Sequence, residues 1–296
     1  MESPTKGGIS KPKRCGKNRL RNPSFLGLSN PSNCLKLKQL MESTLHHKLF
    51  PVEEIGAAHR ERMFQLMAEN YDKMNHNIFY KDLGNKQLAG LFFDKNEELQ
   101  GFTTYVVNPK SSGGEDYNIV FSGDTIISPL FWGSQVMMQS WGYTIGQIIA
   151  TDSTKKWYWY LMSKGHRTYM YLPLFFTDYF PSIKPTAVND ELKQIVAEVS
   201  AKLYPAHWLP AEGVIRFEES MGELKPELVE GTYQKKNKPH VAFFLEKNPG
   251  FYRGEELVCL APLYPGNFNR SAKSFIEAGM QHPLNPKLIN LESSAI

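Results

Sequence analysis

Ile127-Ser128-Pro129-Leu130-Phe131-Trp132-Gly133 is the stretch on which the fold turns. The residues before it, Tyr117–Ile127, alternate and cluster as a strand, and that strand must stop at Pro129, because proline cannot donate to a ladder and restricts the residue before it. After it, from about Ser134, the apolar residues Val136, Met137, Trp141, Ile145, Ile148 and Ile149 recur at helical spacing on a broad face. The unit is strand, proline turn, helix. Working upstream, Leu88–Phe93 and Leu99–Val107 flank a Lys95-Asn96-Glu97-Glu98 turn and read as a hairpin closed by Pro109 and Ser111-Ser112-Gly113-Gly114. Working downstream, residues 157–162 (Trp-Tyr-Trp-Tyr-Leu-Met) form an unbroken apolar run of strand length, which predicts a central strand covered on both faces.

Further out the pattern loosens. Leu49-Phe50-Pro51-Val52 reads as a short first strand, and Ile55, Met63, Phe64, Met67 and Tyr71 mark an amphipathic helix. An aromatic-rich segment from Tyr169 reads as helical. Past Pro181, Asn189 is placed to cap a helix over 190–203, while 241–245 and 257–260, on either side of Asn248-Pro249-Gly250, read as two last strands. The expected division is a disordered basic leader at 1–40, a core at 41–181, and a C-terminal extension at 182–296 that completes or covers the sheet.

Composition bounds the function. The 296 residues are 41% apolar and 12% aromatic, enough for a sizeable core. No apolar run approaches the ~20 residues needed to span a bilayer. Lys6, Lys11, Lys13, Arg14, Lys17, Arg19, Arg21, Lys36 and Lys38 stand against Glu2 alone; this +8, taken from the whole chain's +4, leaves about −4 for the rest. The leader lacks the interleaved aromatics of a nucleic-acid platform, so a solvated leader or an organelle transit peptide, with Met41 as a second start, fits it better. Cys15, Cys34 and Cys259 are odd in number and far apart, which excludes a disulfide framework and fits a reducing cytoplasm. His46-His47 has no acidic or thiol partner at ligand spacing, so it reads as a surface loop, and no metal is expected. Phosphate loops, nucleophile elbows, zinc-protease and dinucleotide fingerprints are absent from the sequence.

The central stretch resembles the donor-binding motif of the GNAT superfamily of acyltransferases. That motif runs aliphatic, any residue, Pro, two residues, Arg or Gln, Gly, any residue, Gly, aliphatic, Gly or Ala, between the fourth strand and the third helix. Ile127, Pro129, Gly133 and Val136 agree with it, and Phe131 sits where an aromatic is common. Trp132 replaces the Arg or Gln, Gln135 the second glycine, and Met137 the small residue. The resemblance implies an α/β (α+β) fold with a mixed, mostly antiparallel central sheet flanked by helices. It also implies a splay between the fourth and fifth strands, where Ile126, Ile127 and Ser128 hydrogen-bond the pantetheine arm of the donor. Trp132, Gly133, Ser134 and Gln135 then face its phosphate end.

Bare backbone N–H groups at a helix start cradle a pyrophosphate, and the side chains of Gln135 and Met137 partly fill that space. Two accounts stand side by side. In one the donor is an acyl carrier protein, as in the related acyl-homoserine-lactone and N-acyl amino acid synthases. In the other one N–H still suffices for acyl-CoA, and Trp132 packs in the core. Asp124 is the candidate base, directly or through water, against a reading as a turn with Gly123 as a bulge or as an ion-pair partner. Tyr171, then Tyr169, is the candidate acid, and His166 follows a glycine at a strand end. Trp157, Trp159, Tyr169, Phe175, Phe176, Tyr179 and Phe180 line a tunnel for a longer acyl chain, or are core.

These residues point to an N-acyltransferase that passes an acyl group from acyl-CoA or an acyl carrier protein to an amine, either a small molecule or a peptide. The alternative is a GNAT-like binding or scaffold module without catalysis. Transfer from aminoacyl-tRNA, helped by the basic leader, ranks third.

Overall fold

A computed structural model describes residues 45–108, 112–219 and 221–289, all within the compact unit Thr44–Ile296. The leader assigned to 1–40 lies outside the described residues. In chain order the elements are β1 (His46–Pro51), α1 (Ala57–Ala68), β2 (Tyr71–Asp72), α2 (His76–Leu83), β3 (Leu88–Phe93), β4 (Leu99–Val107) and β5 (Tyr117–Ile127). A single 3-10 turn, Pro129–Phe131, leads to α3 (Val136–Ile149), β6 (Lys156–Ser163), α4 (His166–Tyr169), α5 (Tyr171–Phe175) and α6 (Asn189–Leu203). Then come β7 (Trp208–Leu209), β8 (Val214–Ile215), β9 (Glu223–Leu224), α7 (Pro226–Tyr233), α8 (Pro239–Lys247), β10 (Glu256–Pro262) and α9 (Arg270–Met280).

Eight strands form one mixed sheet in the order β1-β3-β4-β5-β6-β10-β8-β7, with β2 and β9 as a separate pair. Every neighbouring pair is antiparallel except β5 and β6. The apolar run of β6 behaves as its composition demands. Trp157, Trp159 and Leu161 enter the core beneath α3, α5 and α9, whereas Tyr158 and Tyr160 meet Leu192, Ile195, Val196 and Val199 of α6 on the other face. That second face is shared: α1 and α2 cover β3 and β4 with Met63, Leu66, Phe79 and Leu83, and α6 covers β5, β6 and β10.

Three readings of the sequence are corrected by the structure. Residues 241–245 are helical, inside α8, with Val241 and Phe244 buried one turn apart. Pro239 at the first turn was the available signal, since its fixed φ suits a helix start. His46 and His47 lie in β1, not in a surface loop; His46 meets Glu97 at 3.1 Å and His47 is pushed down to about 4 by burial. The helix after Val188 begins at Asn189 itself, whose Oδ1 accepts from the Thr186 N–H at 2.6 Å and so fastens the preceding loop instead of capping the helix.

One close approach holds the C-terminal helix to the sheet's helical layer. A Cβ on Gly146 would collide with the Ile276 carbonyl of α9, and one on Gly279 with the Tyr143 carbonyl of α3. Gly146→Val should therefore destabilise the protein by about 1–3 kcal/mol through overpacking, read as a lower denaturation midpoint at unchanged m-value.

Candidate active site

The parallel ladder between β5 and β6 runs from Tyr117–Lys156 to Phe121–Tyr160 and stops there. Past it the two strands separate, and residues 122–127 of β5 have no ladder partner on β6, although Ser122 Oγ still accepts from Trp159 Nε1 at 2.7 Å. On the other side, β4 and β5 change register between Phe102 and Thr104, so that Thr103 faces both Asp124 and Thr125. This is a bulge, and Asp124 occupies it in the left-handed region at φ 45°. A bulge re-aims a side chain, and here it turns the carboxylate away from the regular pleat. Thr104 Oγ1 donates to the Gly123 carbonyl at 3.0 Å and to Asp124 Oδ2 at 3.3 Å, and Thr103 and Thr125 join hydroxyls at 2.8 Å. Of the alternatives for Asp124 other than catalysis, the bulge falls on Asp124 and Thr125 and not on Gly123, which keeps its register with Thr104, and a cation, Lys86, stands at 3.9 Å.

Three cavities open around the separated strands. The first is a cleft of about 320 Å³ bounded by Ile126, Ile127, Phe131, Trp132, Gly133 and Ser134 on one side, and by Gly165, His166, Arg167 and Tyr171 on the other. The second is an apolar chamber of about 20 Å³ among Met137, Met138, Trp141, Trp159 and Phe175. The third, about 200 Å³, lies where α1 and α2 end and α6 has not begun to cover the sheet; it holds Asp82, Lys86, Asp124, Lys164 and Glu256. Thr125 and Thr168 line all three cavities, and Tyr171 lines the first two. Neither threonine stood out in the sequence, because a hydroxyl at a junction carries no spacing signature.

The proposed donor residues divide. Ile126, Ile127, Trp132, Gly133 and Ser134 line the cleft, while Ser128 and Gln135 do not. Ser128 is buried and its N–H is already given to the Gln100 carbonyl at 2.7 Å. Trp132 does not pack in the core: it is 39% exposed, its Nε1–H donates to the Ile127 carbonyl at 3.2 Å, and the Arg167 guanidinium lies over its ring at 3.9 Å. Gly133, at φ 95°, makes the turn in a conformation that would strain any other residue. The aromatic tunnel is also corrected. Trp159 and Phe175 face the small chamber, but Trp141, Trp159, Phe175 and Phe176 pack on one another, with Trp141 stacked on Phe175, and Tyr169 packs on Tyr179, Phe243 and Phe244.

The candidate catalytic groups do not share one wall. Asp124 faces the third cavity, His166 the cleft, and Tyr171 the cleft and the apolar chamber. His166 Nδ1 lies 2.9 Å from Thr232 Oγ1, which itself donates to the Leu228 carbonyl, so Nδ1 carries the proton and Nε2 is left as acceptor. Burial, helped by Lys235, Arg167 and Lys238, pushes His166 down to about 4 and keeps it neutral. Burial raises the Tyr171 phenol, whose hydroxyl contacts Met137 Sδ at 3.9 Å. Asp124 is lifted to about 6, chiefly by burial, with Asp82 and Glu256 adding to the rise and Lys86 and Lys164 opposing it. Among the described residues no group of three or more His, Cys, Asp or Glu is placed to hold a metal, and no helix is long and apolar enough to cross a membrane.

No protein-family model matches the sequence, and no curated protein matches it. Among solved structures, the chain is similar to a conserved protein of unknown function from Enterococcus faecalis, named there a probable N-acyltransferase, at 12% identity and a TM-score of 0.32. That similarity covers 46% of this chain and 33% of that one, so it spans about a third of the Enterococcus protein's length. It is also similar to a GNAT family N-acetyltransferase from Escherichia coli in complex with CoA, at 12% identity and a TM-score of 0.29, covering 42% of this chain and 63% of that one.

Proposed function

We propose that the protein is an N-acyltransferase that moves an acyl group from a pantetheine thioester, acyl-CoA or acyl carrier protein, to an amine. The reading is carried by the meeting of three chemically different cavities at Thr125 and Thr168, beside the unpaired edge of β5. An amide-like arm lies along that edge past Ile126 and Ile127 and meets the backbone groups left there, the Ile127 carbonyl being already engaged by the Trp132 indole. Its phosphate end leaves past Trp132, Gly133 and Ser134, where Arg167 supplies the positive charge that the motif's missing Arg or Gln does not. The acyl group points into the apolar chamber, whose size suits a short chain. The amine arrives from the third cavity.

In the transfer, the amine nitrogen attacks the thioester carbon. The C–N bond forms, the tetrahedral oxyanion collapses, and the C–S bond breaks. The amine reacts as its free base, the ammonium first giving one proton to solvent. Asp124 then takes the proton that the attacking nitrogen sheds, and Tyr171, kept neutral by burial, gives its proton to the departing thiolate and regains one from solvent. In this reading the Thr168 hydroxyl, at the junction of the three cavities, serves as the donor to the oxyanion.

The test is direct. Full-length protein is mixed with CoA thioesters and with acyl carrier protein loaded with chains of several lengths, and acyl transfer to a panel of amines is followed with thiol release. Transfer from either donor supports the reading and identifies the donor. Donor binding without transfer to any amine makes the protein a binding module, and absence of both sinks the proposal. Arg167→Ala should raise the donor's KM or Kd about tenfold at unchanged kcat, because it removes a stacked, charge-assisted contact far from the reacting carbon.

A further inference from the structure

The third cavity has a charge pattern that specifies its occupant. Lys86 pairs with Asp82 at 2.9 Å, and Lys164 pairs with Glu256 at 3.4 Å while also donating to the Met221 carbonyl at 3.0 Å. All four side chains are largely withdrawn from solvent, at 8%, 32%, 11% and 12% exposure in that order of residues Lys86, Asp82, Lys164 and Glu256. Two ammonium groups and two carboxylates therefore cancel. Asp124 is the fifth charge and the odd one: its nearest cation, Lys86, stands at 3.9 Å and already has a closer partner. With every group ionised the chamber carries one uncompensated negative charge, on the side chain that lies next to the Thr125 junction.

The remaining walls are apolar and aromatic, including Tyr71, Phe121, Tyr204 and Phe217, apart from the uncharged hydroxyl residues Ser122, Thr125 and Thr168. Buried charge must be paired to be tolerated, and the pairing missing here is a single cation. No second basic group is left over to receive a carboxylate, since each lysine is already engaged.

We propose that this cavity is the acceptor site and that it selects a small primary amine, entering as a monocation with an apolar body and no carboxylate, which pairs with Asp124. This rests on the transferase reading and narrows its acceptor. An amino acid brings a second, negative charge that the two engaged lysines cannot receive without breaking their own pairs. A diamine brings a second positive charge with no carboxylate to meet it. A chamber of about 200 Å³ takes a small body, not a length of peptide.

The experiment uses three probes that share one ring and differ in charge: phenethylamine, phenylalanine and 3-phenylpropionate. Each is titrated calorimetrically into the full chain at pH 8 without donor. Phenethylamine should bind at least tenfold more tightly than phenylalanine, and 3-phenylpropionate should not bind. Asp124→Asn should weaken phenethylamine at least tenfold, and asparagine tolerates the left-handed backbone at this position, so the variant keeps a cooperative melting transition.

In the wild type, whose Asp124 is faced by Lys86, Asp82, Glu256 and Lys164, phenethylamine binding should also fall as the pH drops through about 6. Phenylalanine binding as tightly as phenethylamine overturns the proposal. So does an Asp124→Asn variant with unchanged amine affinity, or no amine binding at all. Thioester binding, measured on the same preparation, separates the two levels. Donor binding without amine selectivity removes this inference alone, whereas amine selectivity without any donor binding removes the transferase reading.

Discussion

Asp124→Asn should lower kcat/KM for acyl transfer by about 10²–10⁴ while making the folded protein more stable at pH 8. The two effects have one cause. Asp124 is ionised in a place where burial penalises the charge, and its pKa stands at about 6 despite Lys86 and Lys164. A carboxylate raised toward the working pH is a better proton acceptor for an amine than one left in the ordinary range, which is the catalytic gain. The sign of the stability effect follows from linkage. The folded state holds this proton up to about pH 6, whereas the unfolded chain releases it near 4, so the native state binds more protons across that window and stability falls as pH rises through it.

Above about pH 6 the cost is constant, and asparagine, which never ionises, removes it. Lys86 keeps Asp82 at 2.9 Å in the variant, so it is not left alone. The expected gain is about 1–3 kcal/mol at pH 8, shrinking toward zero below pH 4, measured by denaturant unfolding across the pH range. The wild-type kcat/KM should rise with pH through about 6 and the variant's residual rate should lack that limb. A variant as active as the wild type removes Asp124 from the chemistry. A variant destabilised at pH 8 shows that the Lys86 contact outweighs burial.

Thr168→Phe should abolish transfer, by 10³-fold or more, and leave the melting temperature within a few degrees of the wild type. Thr168 is half-buried in α4 and borders all three cavities, so a ring there extends into open space instead of into packed core. Filling the junction separates the thioester carbon from the amine, and lost alignment of two reactants forfeits most of what proximity supplies. Donor and amine should each still bind, since the distant walls of the cleft and of the third cavity are untouched. Calorimetry of each partner alone, beside the transfer assay, distinguishes a blocked junction from a misfolded site. Full transfer activity in this variant places the reaction elsewhere.

Much of the sheet was legible in the chain. Tyr117–Ile127 ends before Pro129 because a proline cannot continue the ladder, and Leu88–Phe93 with Leu99–Val107 folds back at a polar turn. The run around Trp157 lies buried on both faces, as an unbroken apolar strand must. Local pattern failed where composition fits two periods: residues 241–245 are apolar enough for a strand, and packing of Val241 and Phe244 one turn apart made them helix. At Trp132 the pattern left core and cleft both open, and the structure puts its ring at the cleft under Arg167 from a different element.

The site divides along the same line. The sequence by itself determined the strand, turn and helix from Tyr117 to Ile149, the glycine that makes the turn, and Asp124 as the one carboxylate on that strand, because each depends on neighbours a few residues away. Only the tertiary structure decided that β5 and β6 part after Phe121 and Tyr160, that Thr125 and Thr168 meet, and that Lys86 and Asp82 pair beside Lys164 and Glu256. Those residues lie up to 174 positions apart, from Asp82 to Glu256, on α2, β5, β6, α4 and β10 and their loops. No periodicity links them, since their proximity is set by how the helical layers leave one stretch of the sheet uncovered.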